Sequence, residues 1–173
     1  MKKNIIFIAI LALFVVFAFY NPNTDAKIGH VDTEYIFSKI PKYQEAQDQL
    51  NNLAEQYKSE VESQYKIVDS LYKIYQKEEM LLSSQMKRQK EDEIVKKENE
   101  AKQLQNKYFG KDGLMDQKRE ELLKPIQDNV FNSIKSMAEE GGYDYIFDKN
   151  TGAILYAKPS LDQSDALLKK MGY

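Results

Sequence analysis

From Lys42 to Phe109 the chain runs 68 residues without a glycine or a proline. Those are the two residues that most readily turn a backbone or end a helix. A stretch lacking both, and dense in Glu, Lys, Gln, Leu and Tyr, is expected to be helical. Its apolar positions keep a heptad beat. Leu50, Tyr57 and Leu71 lie seven or fourteen apart, and Ala54, Val61, Val68 and Tyr75 interleave with them, with Gln64 the one polar member. Alternating steps of four and three define a narrow coiled-coil seam. A second seam follows at Ile94, Ala101, Tyr108, Met115 and Leu122, weak at its start, where Lys96, Lys97, Glu98 and Glu100 crowd together.

As one helix the stretch would be roughly 100 Å long at about 1.5 Å per residue. A helix of that length needs a partner, because isolated helices are marginal in water. The nearest partner is the chain itself, folded back as an antiparallel hairpin. The turn is expected at Leu82-Ser83-Ser84-Gln85, where the seam lapses and two serines compete for backbone hydrogen bonds. Periodicity alone also permits a continuous rod. Past Gly110-Lys111-Asp112-Gly113, a helical pattern resumes from Leu114 to Glu140 with one apolar face, Leu123, Ile126, Val130, Ile134 and Met137. Pro125 falls within that face, and a kink or a fresh helix start is expected near Leu123.

The ends differ in character. Lys27 to Asp32 reads as a short strand, and so does Tyr143 to Asp148 behind the helix stop Gly141-Gly142. Ala153 to Ala157 is expected to pair with the latter as a hairpin. A short helix from Ser160 to Met171 closes the chain, with Asp162 or Ser164 as its cap. Three short strands make too small a core to stand alone, so self-association is expected.

Residues 1–26 carry Lys2 and Lys3, an apolar run from Ile5 to Tyr20, and a polar stretch through Pro22 to Ala26. That order reads as a secretory signal peptide cleaved after Ala26; the other reading is an uncleaved membrane anchor. The chain has no cysteine, so no disulfides and no lipid-modified cysteine are expected. Its net charge of −2, more acidic still once Lys2 and Lys3 are removed, argues against nucleic acid as a ligand. Enzyme readings start poorly. The single histidine, His30, has no cysteine or second histidine with which to share a metal, and reads as a structural or edge residue. Asp144 and Asp148 sit roughly 13 Å apart along a strand, too far for paired-carboxylate chemistry. No catalytic, metal or cofactor residues are expected. The Lys/Glu runs from Lys87 to Lys102 read as a solvated helical face.

The order of signal peptide, Lys-Ile-Gly-His-Val-Asp strand, Tyr35-Ile36-Phe37 helix, long helical middle, Gly-Tyr-Asp-Tyr-Ile-Phe-Asp strand and Ala-Ile-Leu-Tyr-Ala strand resembles the Skp/OmpH family of periplasmic chaperones for outer membrane proteins. The likeness implies a mainly α fold in which a helical-hairpin coiled-coil arm, residues 41–140, projects from a small β body made of residues 27–40 and 141–173. It further implies a periplasmic homotrimer that holds unfolded outer-membrane β-barrel proteins without ATP. Where family members are strongly basic, this chain is acidic, with only a local cluster at Lys87, Arg88 and Lys90; a lipopolysaccharide patch is therefore not carried over. Tyr57 and Tyr75 lie on the seam and read as packing. Tyr65 and Tyr72, seven apart and off that seam, are the candidate client contacts together with the basic cluster, which leaves room for transient contact with a membrane surface. Ile28, Val31, Tyr145, Phe147, Ile154 and Tyr156 are the candidate oligomerisation residues. The rival reading is a membrane-anchored coiled-coil protein serving as a structural spacer or adaptor of the cell envelope.

Overall fold

A computed structural model of the chain describes residues 25–173, so the expected signal peptide lies, apart from its last two residues, outside the described residues. The fold is mainly α with a small sheet. In order come β1 (Ile28–Val31), α1 (Thr33–Ser38), α2 (Pro41–Glu78), α3 (Ser84–Phe109), α4 (Leu114–Gly141), β2 (Tyr145–Asp148) and α5 (Ser164–Met171). Helices α2 and α3 are the two limbs of a hairpin; α2, at 38 residues, spans roughly 57 Å. Pro41 occupies the first turn of α2, where its missing N–H is no loss. The hairpin reverses through a 3-10 turn at Glu79–Leu81, and the Ser83 hydroxyl then caps α3 by accepting from the Met86 N–H. The long helical stretch is therefore a hairpin, turning where the seam lapses.

Strands β1 and β2 pair in parallel, with Ile28 opposite Tyr145 and Val31 opposite Asp148. A parallel pair needs a long crossover, and here the entire arm supplies it. Helix α4 ends on Gly142, whose φ of +62° only glycine adopts without strain, and the Tyr143 N–H bonds back to the Ala138 carbonyl. The Tyr143 ring then lies so close to Gly141 that a Cβ there would sit 2.7 Å from it. Lys27 covers the other side of this corner, 4.2 Å from the ring centroid, and donates to the Gly141 carbonyl.

Burial is concentrated at one end of the molecule. Val31, Ile36, Ile40, Val130, Met137, Leu167 and Leu168 form one cluster, drawing on β1, α1, α4 and α5. Ala46, Leu50, Met115 and Leu123 form a second at the base of the hairpin, between α2 and α4. Tyr43 and Ile126 pack against both and join them.

Three expectations are corrected. Ala153 to Ala157 forms no strand and no hairpin with β2; β1 takes that place beside β2, and Leu155 is 99% exposed. Helix α4 runs unbroken through Pro125, with no fresh start near Leu123. Loss of one backbone hydrogen bond is offset there by the burial of Leu123 and the packing of Ile126 on adjacent turns. The last helix begins at Ser164, not Ser160; Pro159–Leu161 make a separate 3-10 turn, and Asp162 Oδ1 accepts from the Ser164 N–H and hydroxyl.

Candidate functional site

The arm changes chemistry along its length. At its base the contacts are apolar, led by the stack of Phe37 on Tyr43 with ring centroids 4.7 Å apart. Midway, the Tyr57 and Tyr108 rings stack face to face at 3.9 Å, with Phe109 edge-on to both, and Val61 and Ala101 are buried nearby. Beyond Val61 no side chain of α2 is buried among the described residues, and α3 has no buried side chain before Ala101.

Polar cross-links take over where the apolar seam thins. The Tyr108 hydroxyl donates to Glu60, Tyr65 to Gln105 Oε1 at 3.0 Å, and Tyr75 to Glu91. Nearer the turn, Lys90 meets Glu78 at 2.7 Å and Lys87 meets Glu79 at 3.7 Å. The Tyr108 hydrogen bond holds the Glu60 carboxyl below its ordinary range. The Glu91 carboxylate, by accepting from Tyr75, pushes that phenol up to about 12.

The expected client residues fall into two groups within this frame. Tyr65, Lys87 and Lys90 are half-buried and face the opposite helix, each tied to a partner across the hairpin. Tyr72 is 50% exposed, and Arg88 is exposed with no ion-pair partner among the described residues. Sequence reasoning missed the exposed aliphatic and thioether side chains around the turn: Met80, Leu81 and Met86, and, further down α2, Ile67 and Ile74. The seven-residue spacing of Ile67, Ile74 and Leu81 was the available signal.

At the other end of the molecule, paired residues of the parallel sheet share a face. Ile28, Tyr145 and Phe147 are exposed, with the two aromatic rings stacked at 5.9 Å. Tyr156 is exposed and Ile154 half-buried beside them, and both line an open hollow of about 240 Å³ with Phe147 and Ile28. Val31 is placed elsewhere. It points into its own chain's core and is fully buried. His30 is buried against the segment that follows, its Nε2 3.2 Å from the Lys158 carbonyl oxygen. Asp144 accepts from the Lys27 backbone N–H and Asp148 from the Thr33 hydroxyl, so both carboxylates have structural partners. Among the described residues no group of three His, Cys, Asp or Glu side chains is placed to hold a metal ion. No helix among them is long and apolar enough to cross a membrane.

The family model described as outer membrane protein (OmpH-like) matches residues 27–171. The chain belongs to that family. A curated relative, chaperone protein Skp of Yersinia enterocolitica, is 27% identical over 148 residues, covering 84% of this chain and 86% of its own. The crystal structure of an OmpH-like outer membrane chaperone from Caulobacter crescentus superposes with a TM-score of 0.63. That alignment covers 87% of this chain and 88% of that one at 12% identity, so it speaks to the OmpH-like fold alone.

Proposed function

We propose that this OmpH-like protein is a periplasmic chaperone that holds unfolded outer-membrane β-barrel polypeptides and keeps them from aggregating, without ATP and without covalent chemistry. The observation that carries this reading is the arm. Its buried side chains reach no further than Val61 and Ala101, midway, while its distal half leaves apolar side chains in solvent along a polar-stapled hairpin. Such a surface supports many weak contacts with an unfolded chain, and weak contacts release a client without an energy source. The exposed aromatic face of the sheet supports self-association, which we assign to a homotrimer built on the body, with residues 41–140 projecting as the arm. Tyr72 and Arg88 are the expected contacts still free to meet a client.

Dilution of a urea-denatured outer-membrane β-barrel protein into buffer, followed by light scattering, tests the reading. Stoichiometric chain should suppress aggregation equally with and without ATP. Absence of suppression would remove the holdase assignment. Intact mass of protein from the envelope fraction should show loss of residues 1–26; a retained N-terminus would favour an anchored spacer.

A further inference from the structure

Ile67 and Ile74 lie about a quarter of the way round α2 from the half-buried seam of Gln64, Val68, Leu71 and Tyr75. They are 43% and 41% exposed, and Leu81, seven residues further, is 88% exposed. Ile67 and Ile74 recur at about 10.5 Å on one face of α2, and Leu81 follows them in the 3-10 turn at its end. Ser70 lies between the two isoleucines and Ser63 one turn before Ile67, its hydroxyl turned back onto the Ser59 carbonyl at 2.8 Å, which keeps the surface low and its polar group satisfied. Along the outer edge stand Lys66 and Lys77, both exposed and neither with an ion-pair partner among the described residues. We infer that this strip is the client contact of the distal arm, and that it takes unfolded segments in which aliphatic side chains alternate with carboxylates.

The inference rests on the holdase reading and specifies where on the arm the client lies. Size and charge argue against a second copy as the occupant. Three side chains expose far less than the roughly 800 Å² that each partner brings to a stable interface. A copy laid face to face would also set its own Lys66 and Lys77 against these lysines. An unfolded segment needs no such area, since each arm supplies one weak contact among several.

The test uses the full chain and a urea-denatured outer-membrane β-barrel protein as probe. Photo-crosslinkers placed singly at residues 67, 74 and 81 should capture the probe more efficiently than those at residues 65 and 72. The triple variant Ile67→Ser, Ile74→Ser, Leu81→Ser should keep the parent's circular dichroism and solution mass yet release the probe about tenfold faster. Phe131→Ser, exposed at the body end of α4 and outside the distal arm, should change release by less than about twofold. The strip is overturned if the triple variant retains the probe like the parent, if crosslinks concentrate at 65 and 72, or if the triple variant alone falls to a smaller assembly, which would make it an interface between copies. Should the triple variant unfold, the crosslinking profile of the single-site chains decides. A parent chain that suppresses aggregation while the strip fails leaves the holdase reading standing; a parent that holds no client removes both.

Discussion

Asp32 ties together two segments that are distant in sequence. Its carboxylate caps α1 through the Tyr35 N–H at 2.9 Å, and also accepts from Asn150 Nδ2 at 2.6 Å and Lys149 Nζ at 2.8 Å. Partial burial alone would raise its pKa. The Lys149 side-chain hydrogen bond, the Tyr35 N–H and the Asn150 amide outweigh that effect and bring the carboxyl from an ordinary 3.8 down to about 2. A depressed pKa contributes stability that is present above the unfolded value and lost as pH falls through the folded one. Asp32→Ala should therefore cost about 2 kcal/mol at pH 7 and much less near pH 2, read from urea unfolding at the two pH values. Packing predicts an equally sharp contrast. Leu167→Ala, at a fully buried site, should cost about 3 kcal/mol, whereas Phe131→Ser, two-thirds exposed on α4, should stay within about 0.5 kcal/mol. Asp32 reads in the sequence as the end of a strand, and nothing local announces its partners at Lys149 and Asn150, which lie more than a hundred residues on.

At the scale of elements, the heptad seam made the hairpin legible: it registered in the sequence because one period ran through two helices. The turn was legible because Ser83 and Ser84 interrupt that period. Ala153 to Ala157 shows the opposite case. Its residues favour strands, but strand propensity describes fit to a neighbouring surface more than an intrinsic backbone preference. Within the chain β1 already occupies the place beside β2. The client strip was hidden for a related reason, since Ile67 and Ile74 share the period of the seam and only the packed hairpin separates the inner face from the outer. The distal arm should be the first part to open. Amide exchange is expected to be fastest between about Leu81 and Glu100, where no side chain is buried. Tyr75 gives a second handle. A raised phenol pKa means that its stabilising hydrogen bond is intact below the ordinary value of 10.0 and lost as pH rises toward about 12. Absorbance titration should show this late tyrosine ionising with fraying of the tip, and Glu91→Gln should return it toward 10.0.

At the scale of the whole molecule, α4 is the element that holds arm and body together. Its Met115 and Leu123 pack with the base of α2, while Val130 and Met137 pack with β1, α1 and α5. Tyr43 and Ile126, which touch both clusters, leave no loose joint between them at that level. The homotrimer proposed above would draw on the sheet face and the segment after it. Deleting Tyr143–Lys158 should leave monomers in light scattering, and a deletion variant that stayed trimeric would move assembly into the arms. Client retention should respond less to salt, between low and physiological levels, than to loss of the apolar strip, because screening acts on exposed charge.

The cross-links of tyrosine to glutamate and of lysine to glutamate carry one more consequence. Had leucines sealed the distal arm, each spontaneous opening would bare a greasy ribbon able to fuse one molecule with the next. Phenols, carboxylates and ammonium groups are taken up by water as soon as they part. Parting the limbs near the tip therefore uncovers less apolar surface than a seam of leucines would.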